Sequence, residues 1–303
     1  MNKLIKRFLV FTFFLVCCQK NVLAQANSQI FLFDIARTSD TTYRFSAPRL
    51  LTQFNPEGYN NQPAFFSDNE IYLSVRMPTD VQTDIYAMDL EKKTLVQVTE
   101  TAGGEYSPKR TPDYFYFSVV RQEFINGDTI QRLWQLPIDR MSEGKPFFKY
   151  INNIGYYQWI NGNQVALFLV DNPNRLVVAD IRTDEISEVA TGVGRDFKVL
   201  RNGSLTFVQK LNFGSWALME VRLDASGKTS GLTKITDTLA GSEDFEILRD
   251  GSFIMALGSK IYRYNRFLDE EWREIVDLRF YGIKNITRMA VSPGDKIAIV
   301  GTK

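Results

Sequence analysis

Asn61-Gln62-Pro63-Ala64-Phe65-Phe66-Ser67-Asp68-Asn69-Glu70-Ile71-Tyr72-Leu73-Ser74-Val75 holds the pattern from which the rest of the chain can be read. A short segment runs into an Asp-Asn turn, and the turn opens an apolar stretch rich in β-branched and aromatic residues. Short runs of this composition bounded by turn residues read as strands rather than helices. Farther on, Ile85 to Asp89 is a second apolar run that ends on an acid, and Val96-Gln97-Val98-Thr99 closes the unit. One inner strand, two apolar central strands and a short outer strand make a four-stranded antiparallel sheet.

The same unit recurs about every 41 to 48 residues. Asp113 precedes Tyr114 to Val120, Asn161 to Asn163 precede Val165 to Val170, and Asn202-Gly203 lead into Leu205 to Gln209. Asp250-Gly251 then lead into Phe253 to Leu257, and Gly294-Asp295 into Ile297 to Val300. Third strands follow at Leu133 to Asp139, Leu176 to Asp180, Leu218 to Asp224 and Ile261 to Asn265, and a further fourth strand at Leu232 to Thr236. The last copy, Ile286 to Val300, supplies only two strands. Its missing pair lies at the other end, where Gln29 to Asp34 fits a third strand and Pro48 to Thr52 a fourth. The prediction is an all-β, six-bladed β-propeller over residues 27–303 with four-stranded antiparallel blades, in which 27–52 and 286–303 share one blade. Closing the last blade with strands from both termini removes a free sheet edge. Six blades in the 277 residues after position 26 average about 46 residues, within the usual range of propeller repeats.

Residues 1–26 read as a secretory signal peptide: Lys3, Lys6 and Arg7 precede an eleven-residue apolar run from Phe8 to Cys18, and small residues lie at Ala24 and Ala26. Cleavage near Ala24–Ala26 would place the protein in the periplasm or outside the cell. The run is too short to span a bilayer, so no transmembrane segment is expected. Lipid attachment at Cys18 is the weaker reading, because Leu15, Val16 and Cys17 lack the small residues that usually precede such a cysteine. Cleavage would remove four basic residues and both cysteines, leaving 32 basic against 35 acidic side chains. A mildly acidic chain lacks the electrostatic footprint of a nucleic-acid binder. Without thiols, an exported domain is held by packing alone.

Asn61 to Asp68, Asp84-Ile85-Tyr86-Ala87-Met88-Asp89 and Val96 to Thr99 together resemble the WD40-like PD40 repeat of TolB-type β-propellers. Tyr106-Ser107-Pro108 with Thr111-Pro112-Asp113 is a second copy, and Val291-Ser292-Pro293-Gly294-Asp295 a third. The other three units keep the strand rhythm without the Pro and Ser. The resemblance implies a six-bladed propeller in the bacterial envelope. TolB carries an α/β domain ahead of its propeller, whereas here the repeats start directly behind the N-terminal apolar segment, which argues against a Tol-Pal role. Similar propellers gate prolyl-oligopeptidase-type hydrolases, but no hydrolase domain follows the repeats.

The chain contains no histidine, so Ser-His-Asp and Cys-His mechanisms and histidine metal sites are excluded. Ser142-Glu143-Gly144-Lys145 has the spacing of a Ser/Lys pair but falls in an expected hairpin turn. Gly227-Lys228-Thr229 lacks the strand-to-helix context of a phosphate loop. The sequons Asn202-Gly203-Ser204 and Asn285-Ile286-Thr287 are expected to stay bare in a bacterial protein. Oxygen ligands leave calcium as the one open cofactor; no other is expected. The recurrent acids Asp34, Asp89, Asp139, Asp180 and Asp224 end third strands, where an Asp side chain caps the following turn.

The innermost strands border the central channel. Aligned on the turns, their polar columns single out Gln62, Lys109, Asp196, Lys198, Asp244 and Glu246 as a channel lining that either receives a ligand or pairs across blades, as Lys198 with Glu246. Tyr156, Tyr157 and Trp159, like Tyr114 to Phe117, read as blade core. The expected function is a non-enzymatic binding or scaffolding module, monomeric, with an envelope protein, small ligand or glycan as partner. The alternative is a calcium-dependent channel enzyme, lactonase-like or a glycan-active hydrolase or lyase.

Overall fold

The computed structural model describes residues 27–211 and 214–302; residues 1–26, read above as a signal peptide, and with them Cys18, lie outside the described residues. The strands are β1 (Gln29–Arg37), β2 (Tyr43–Leu50), β3 (Tyr59–Phe65), β4 (Glu70–Arg76), β5 (Asp84–Asp89), β6 (Thr94–Gln97), β7 (Glu105–Arg110) and β8 (Tyr116–Ile125). They continue as β9 (Asp128–Pro137), β10 (Lys145–Pro146), β11 (Ile154–Trp159), β12 (Gln164–Leu169), β13 (Arg175–Asp180), β14 (Ile186–Thr191), β15 (Val193–Val199) and β16 (Leu205–Lys210). The chain ends with β17 (Trp216–Leu223), β18 (Thr229–Asp237), β19 (Phe245–Ile247), β20 (Phe253–Leu257), β21 (Lys260–Tyr264), β22 (Arg273–Asp277), β23 (Asn285–Val291) and β24 (Lys296–Thr302). Five sheets each take four consecutive strands, and the sixth has the order β2-β1-β24-β23. The fold is a six-bladed β-propeller. Among the described residues no helix is long and apolar enough to cross a membrane.

Six hydrophobic clusters lie one between each pair of neighbouring blades, and this is what closes the ring. Phe66, Tyr72 and Phe117 fill the first junction, with the Phe66 and Tyr72 rings stacked at 3.7 Å. Tyr157, Leu167 and Val120 fill the second, Phe168, Phe197 and Phe207 the third, and Val208, Phe245 and Phe253 the fourth. Ile254, Ile261 and Ile297 join the fifth blade to the last, and Leu32, Val300 and Leu73 join the last to the first. A central strand so enclosed has neighbours on both faces, so its sequence is a continuous apolar run rather than an alternating one: all six residues of β12 are buried. In the last blade β1 pairs antiparallel with β24, Leu32 opposite Ala298, and covers the edge that β24 would otherwise present.

Two local readings change. The fourth strand of the last blade is β2, which begins at Tyr43 rather than Pro48. Tyr114 and Phe115 are not core: they precede β8 in the turn, 65% and 76% exposed, and only Phe117 of that run is buried. Tyr114 takes φ 65°, and Phe115 N–H bonds to Asp113 Oδ1 at 3.0 Å, so the Asp turn is longer here and the strand starts later. Asp89, Asp139, Asp180 and Asp224 cap turns, each accepting from a backbone N–H two residues on at 2.8–3.0 Å. Asp34 departs from this pattern and pairs with Arg49 at 3.2 Å.

Candidate functional site in the central channel

The six inner strands β3, β7, β11, β15, β19 and β23 surround a cavity of about 450 Å³, and Gln62, Lys109, Asp196, Lys198, Asp244 and Glu246 all line it. Sequence parity alone does not account for the rest of the lining. The inner hairpins close through the backbone N–H of Phe66, Thr111, Ile160, Leu200, Leu248 and Ser292. Counting back two and four residues from these gives Ala64, Lys109, Gln158, Lys198, Glu246 and Ala290, then Gln62, Ser107, Tyr156, Asp196, Asp244 and Arg288, all of which line the cavity. An alignment on Asn161 in the third blade and Pro293 in the last is one residue out, so it selects Tyr157 and Thr287 where Gln158, Tyr156 and Arg288 face the channel. A one-residue slip in a strand exchanges its two faces.

β-Bulges complete the lining. In β3, Asn61 to Ala64 oppose Ser74 to Tyr72, and in β7, Tyr106 to Lys109 oppose Val120 to Ser118, so each inner strand has one extra residue. Gln62 and Ser107 take the positive φ that such a bend needs, 51° and 55°. In β15 the shift between Val193 and Phe197 is two residues, and it brings Arg195 into the channel beside Asp196. Arg195 was not predictable from an alternating pattern, because the pattern is broken at that place.

Most of the polar lining is occupied in holding blades together. Gln62 Oε1 accepts from the Ser107 N–H of the next blade at 2.9 Å, and Asp196 Oδ2 accepts from Phe245 N–H at 2.9 Å. Lys198 Nζ lies 2.7 Å from Glu246 and 3.1 Å from Asp196. Burial opposes the Lys198 charge, but the two acids outweigh it and hold the ammonium above the ordinary lysine range; burial pushes the Glu246 carboxyl up. Arg195 donates to Asp244 through Nε at 3.0 Å and through Nη2, and Arg288 approaches the same carboxylate at 3.5 Å. Arg288 also donates to the Tyr156 hydroxyl at 2.9 Å. Nearby Glu243 is held by Lys210 at 2.8 Å.

Lys109 is different. Its ammonium donates to the neutral Gln158 Oε1 at 2.9 Å and has no carboxylate within ion-pair distance. It is half-buried in the channel wall, with protein packed around it at longer range; that burial, reinforced by Lys198, pulls its pKa down to about 8. Tyr157, turned away from the channel into the core, places its hydroxyl 2.7 Å from the carbonyls of both Ser107 and Ser118, which share its one proton, and so fixes the backbone on which Lys109 stands. Ser118 Oγ donates to the Lys109 carbonyl at 3.1 Å. Tyr157 and Trp159 are core as expected, while Tyr156 faces the channel.

The fit of calcium to this lining follows from the ion pairs. A calcium site needs several carboxylate or carbonyl oxygens converging on one point without competing cations. Asp196, Asp244 and Glu246 each face a lysine or arginine, and among the described residues no group of three acidic side chains gathers at one place. The channel does not fit the ion.

No family model matches the sequence, and no curated protein matches it. Solved structures do. A TolB protein of Agrobacterium tumefaciens superposes with a TM-score of 0.64 at 15% identity, covering 91% of this chain and 98% of that one. The chain folds as a TolB-like propeller. TolB of Acinetobacter baumannii superposes with a TM-score of 0.56 at 12% identity over 91% of this chain, which spans 64% of that protein. An auxiliary nutrient binding protein of Bacteroides thetaiotaomicron gives 0.55 at 9% identity, covering 90% and 76% of the two chains. At these identities the likeness extends to the fold.

Proposed function

We propose that the protein is an exported, non-enzymatic binding scaffold of the bacterial envelope, acting as a monomer through its channel and the loops around it. The observation that carries this reading is the neutralised lining. Every carboxylate in the channel is bonded to a cation, so none is free to serve as a general base, a nucleophile or a metal ligand, whereas a binding surface needs only a rigid frame with donors in place. The chain has no histidine to take over that role. TolB-like and nutrient-binding propellers share the architecture, which supports a protein or small-ligand partner. The N-terminal segment supports export with cleavage near Ala24–Ala26.

The test has two arms. The purified protein, used as bait in an envelope extract, should retain one defined partner or ligand through repeated washing, and simultaneous replacement of Lys109 and Arg288 should weaken that retention. In parallel, the melting temperatures measured with calcium and with a chelator should agree within about 1 °C. Metal-dependent turnover of lactones or glycans would overturn the reading in favour of a channel enzyme.

A further inference from the structure

Five cationic side chains, Lys109, Arg110, Arg195, Lys198 and Arg288, line the central cavity against three acids, Asp196, Asp244 and Glu246. The ion pairs consume Arg195, Lys198 and Arg288. The two cations left without an acid partner are adjacent in sequence, at the end of β7. Arg110 donates through Nη1 to the Phe66 carbonyl at 3.1 Å, and its Nε is buried without a partner. Lys109 has only the Gln158 amide. Burying an ammionium-sized charge without a counter-ion costs free energy, and a bound anion removes that cost.

From this juxtaposition we infer that the channel is the site of a small carboxylate ligand, with its head group on Lys109 and its body against Ala64, Ala290 and the Tyr156 ring, which face the same cavity. The inference rests on the reading of the channel as a binding site and adds the chemical class of its occupant. One negative charge suits the place better than two, because Asp196 and Glu246 act on Lys109 from the same cavity and would repel a phosphate dianion. The cavity, at about 450 Å³, is within the usual size of small-ligand pockets. The carboxylate could belong to a free organic acid or to the C-terminus of an apolar peptide; both present the same head group.

Calorimetric titration distinguishes these. At pH 7 N-acetyl-leucine should bind and N-acetyl-leucinamide should not, and a short peptide ending in leucine should bind as the free acid and not as its C-terminal amide. Stronger binding of the free peptide than of the single residue assigns the site to chain ends; equal binding assigns it to small acids. Lys109→Met should weaken the acid by about tenfold or more, the loss expected for one charge-assisted contact, and Lys109→Arg should restore part of it. Both variants should melt as cooperatively as the parent; if Lys109→Met does not fold, Lys109→Gln and the parent's preference for acid over amide carry the test. Acid and amide binding alike, no binding of either, unchanged affinity in folded Lys109→Met, or tighter binding of inorganic phosphate would each overturn the inference. Retention of an envelope partner despite such a result would leave the scaffold reading standing.

Discussion

Removal of Lys198 is the most informative single perturbation of the channel. Its ammonium lies 2.7 Å from Glu246 and 3.1 Å from Asp196, so those two oxygens are no more than about 5.8 Å apart. The three side chains are 17%, 15% and 18% exposed, so solvent screens them only in part. Lys198→Met leaves two carboxylates facing each other, and at an effective dielectric constant of about 20 their repulsion at that separation is about 3 kcal/mol. The molecule can escape part of this by keeping Glu246 protonated, which caps the loss near the same figure at neutral pH. For a domain of this size about 3 kcal/mol lowers the melting temperature by about 6–10 °C. The pH dependence fixes the cause. In the parent the folded-state pKa of Lys198 is raised, so its contribution is fully present below the unfolded lysine pKa and is lost only as pH rises through the folded value. In the variant Glu246 is raised further, so stability should return as pH falls from 7 towards 5 and Glu246 takes up its proton. Scanning calorimetry of both proteins at pH 5, 6, 7 and 8 measures this. A loss below about 2 °C that is the same at every pH would refute the reasoning, because it would mean that water already screens the pair.

Two further substitutions probe the blade junctions. Asp84 and Glu105 face each other between the first and second blades, and burial together with Glu105 pushes the Asp84 carboxyl up to about 7. A raised carboxyl costs stability progressively as pH climbs from the unfolded aspartate value, about 3.9, to the folded one, so Asp84→Asn should raise the melting temperature most at pH 8, by about 1–2 kcal/mol in stability more than at pH 5, and leave it nearly unchanged at about pH 3, as thermal scans at the three pH values would show. Arg263 is wholly buried; it pairs with the equally buried Asp269 and donates to the Asp40 carbonyl at 2.6 Å, linking the fifth blade to the last. Arg263→Met leaves that carboxylate with Arg273, 3.0 Å away, and the Asn265 N–H as its partners, and should cost about 2–3 kcal/mol in urea unfolding, whereas the double replacement Arg263→Met with Asp269→Leu should recover part of it.

The blade rhythm was legible because it rests on local chemistry. Turn residues such as Asp250-Gly251 and the apolar runs behind them are fixed by φ/ψ preference and burial, and each recurs in every unit. The shared last blade was legible for the same reason, since the N-terminal run from Gln29 fits the strand that β24 lacks. The channel was legible only in part. Gln62, Lys109, Asp196, Lys198, Asp244 and Glu246 were found because their turns align without ambiguity, while Gln158 and Arg288 were missed because Asn161 to Asn163 and Pro293-Gly294 offer more than one anchor. Arg195 lies on a bulge, and a bulge is a property of two paired strands that one strand's sequence does not disclose. Tyr114 and Phe115 misled for a related reason: aromatic content predicts burial, but the Asp113 turn delays the strand and leaves both rings outside.

The claim at the centre of this account is that the channel is a binding site in which the unpaired ammonium of Lys109 receives the ligand. Its titration tests that directly. Lysines labelled by reductive ¹³C-methylation report their own ionisation by NMR, and the Lys109 resonance is assigned by its loss in Lys109→Met. The account predicts a midpoint at about 8 in the free protein, rising when N-acetyl-leucine is added. A midpoint in the ordinary lysine range, about 10.4, with no response to the acid, would contradict it.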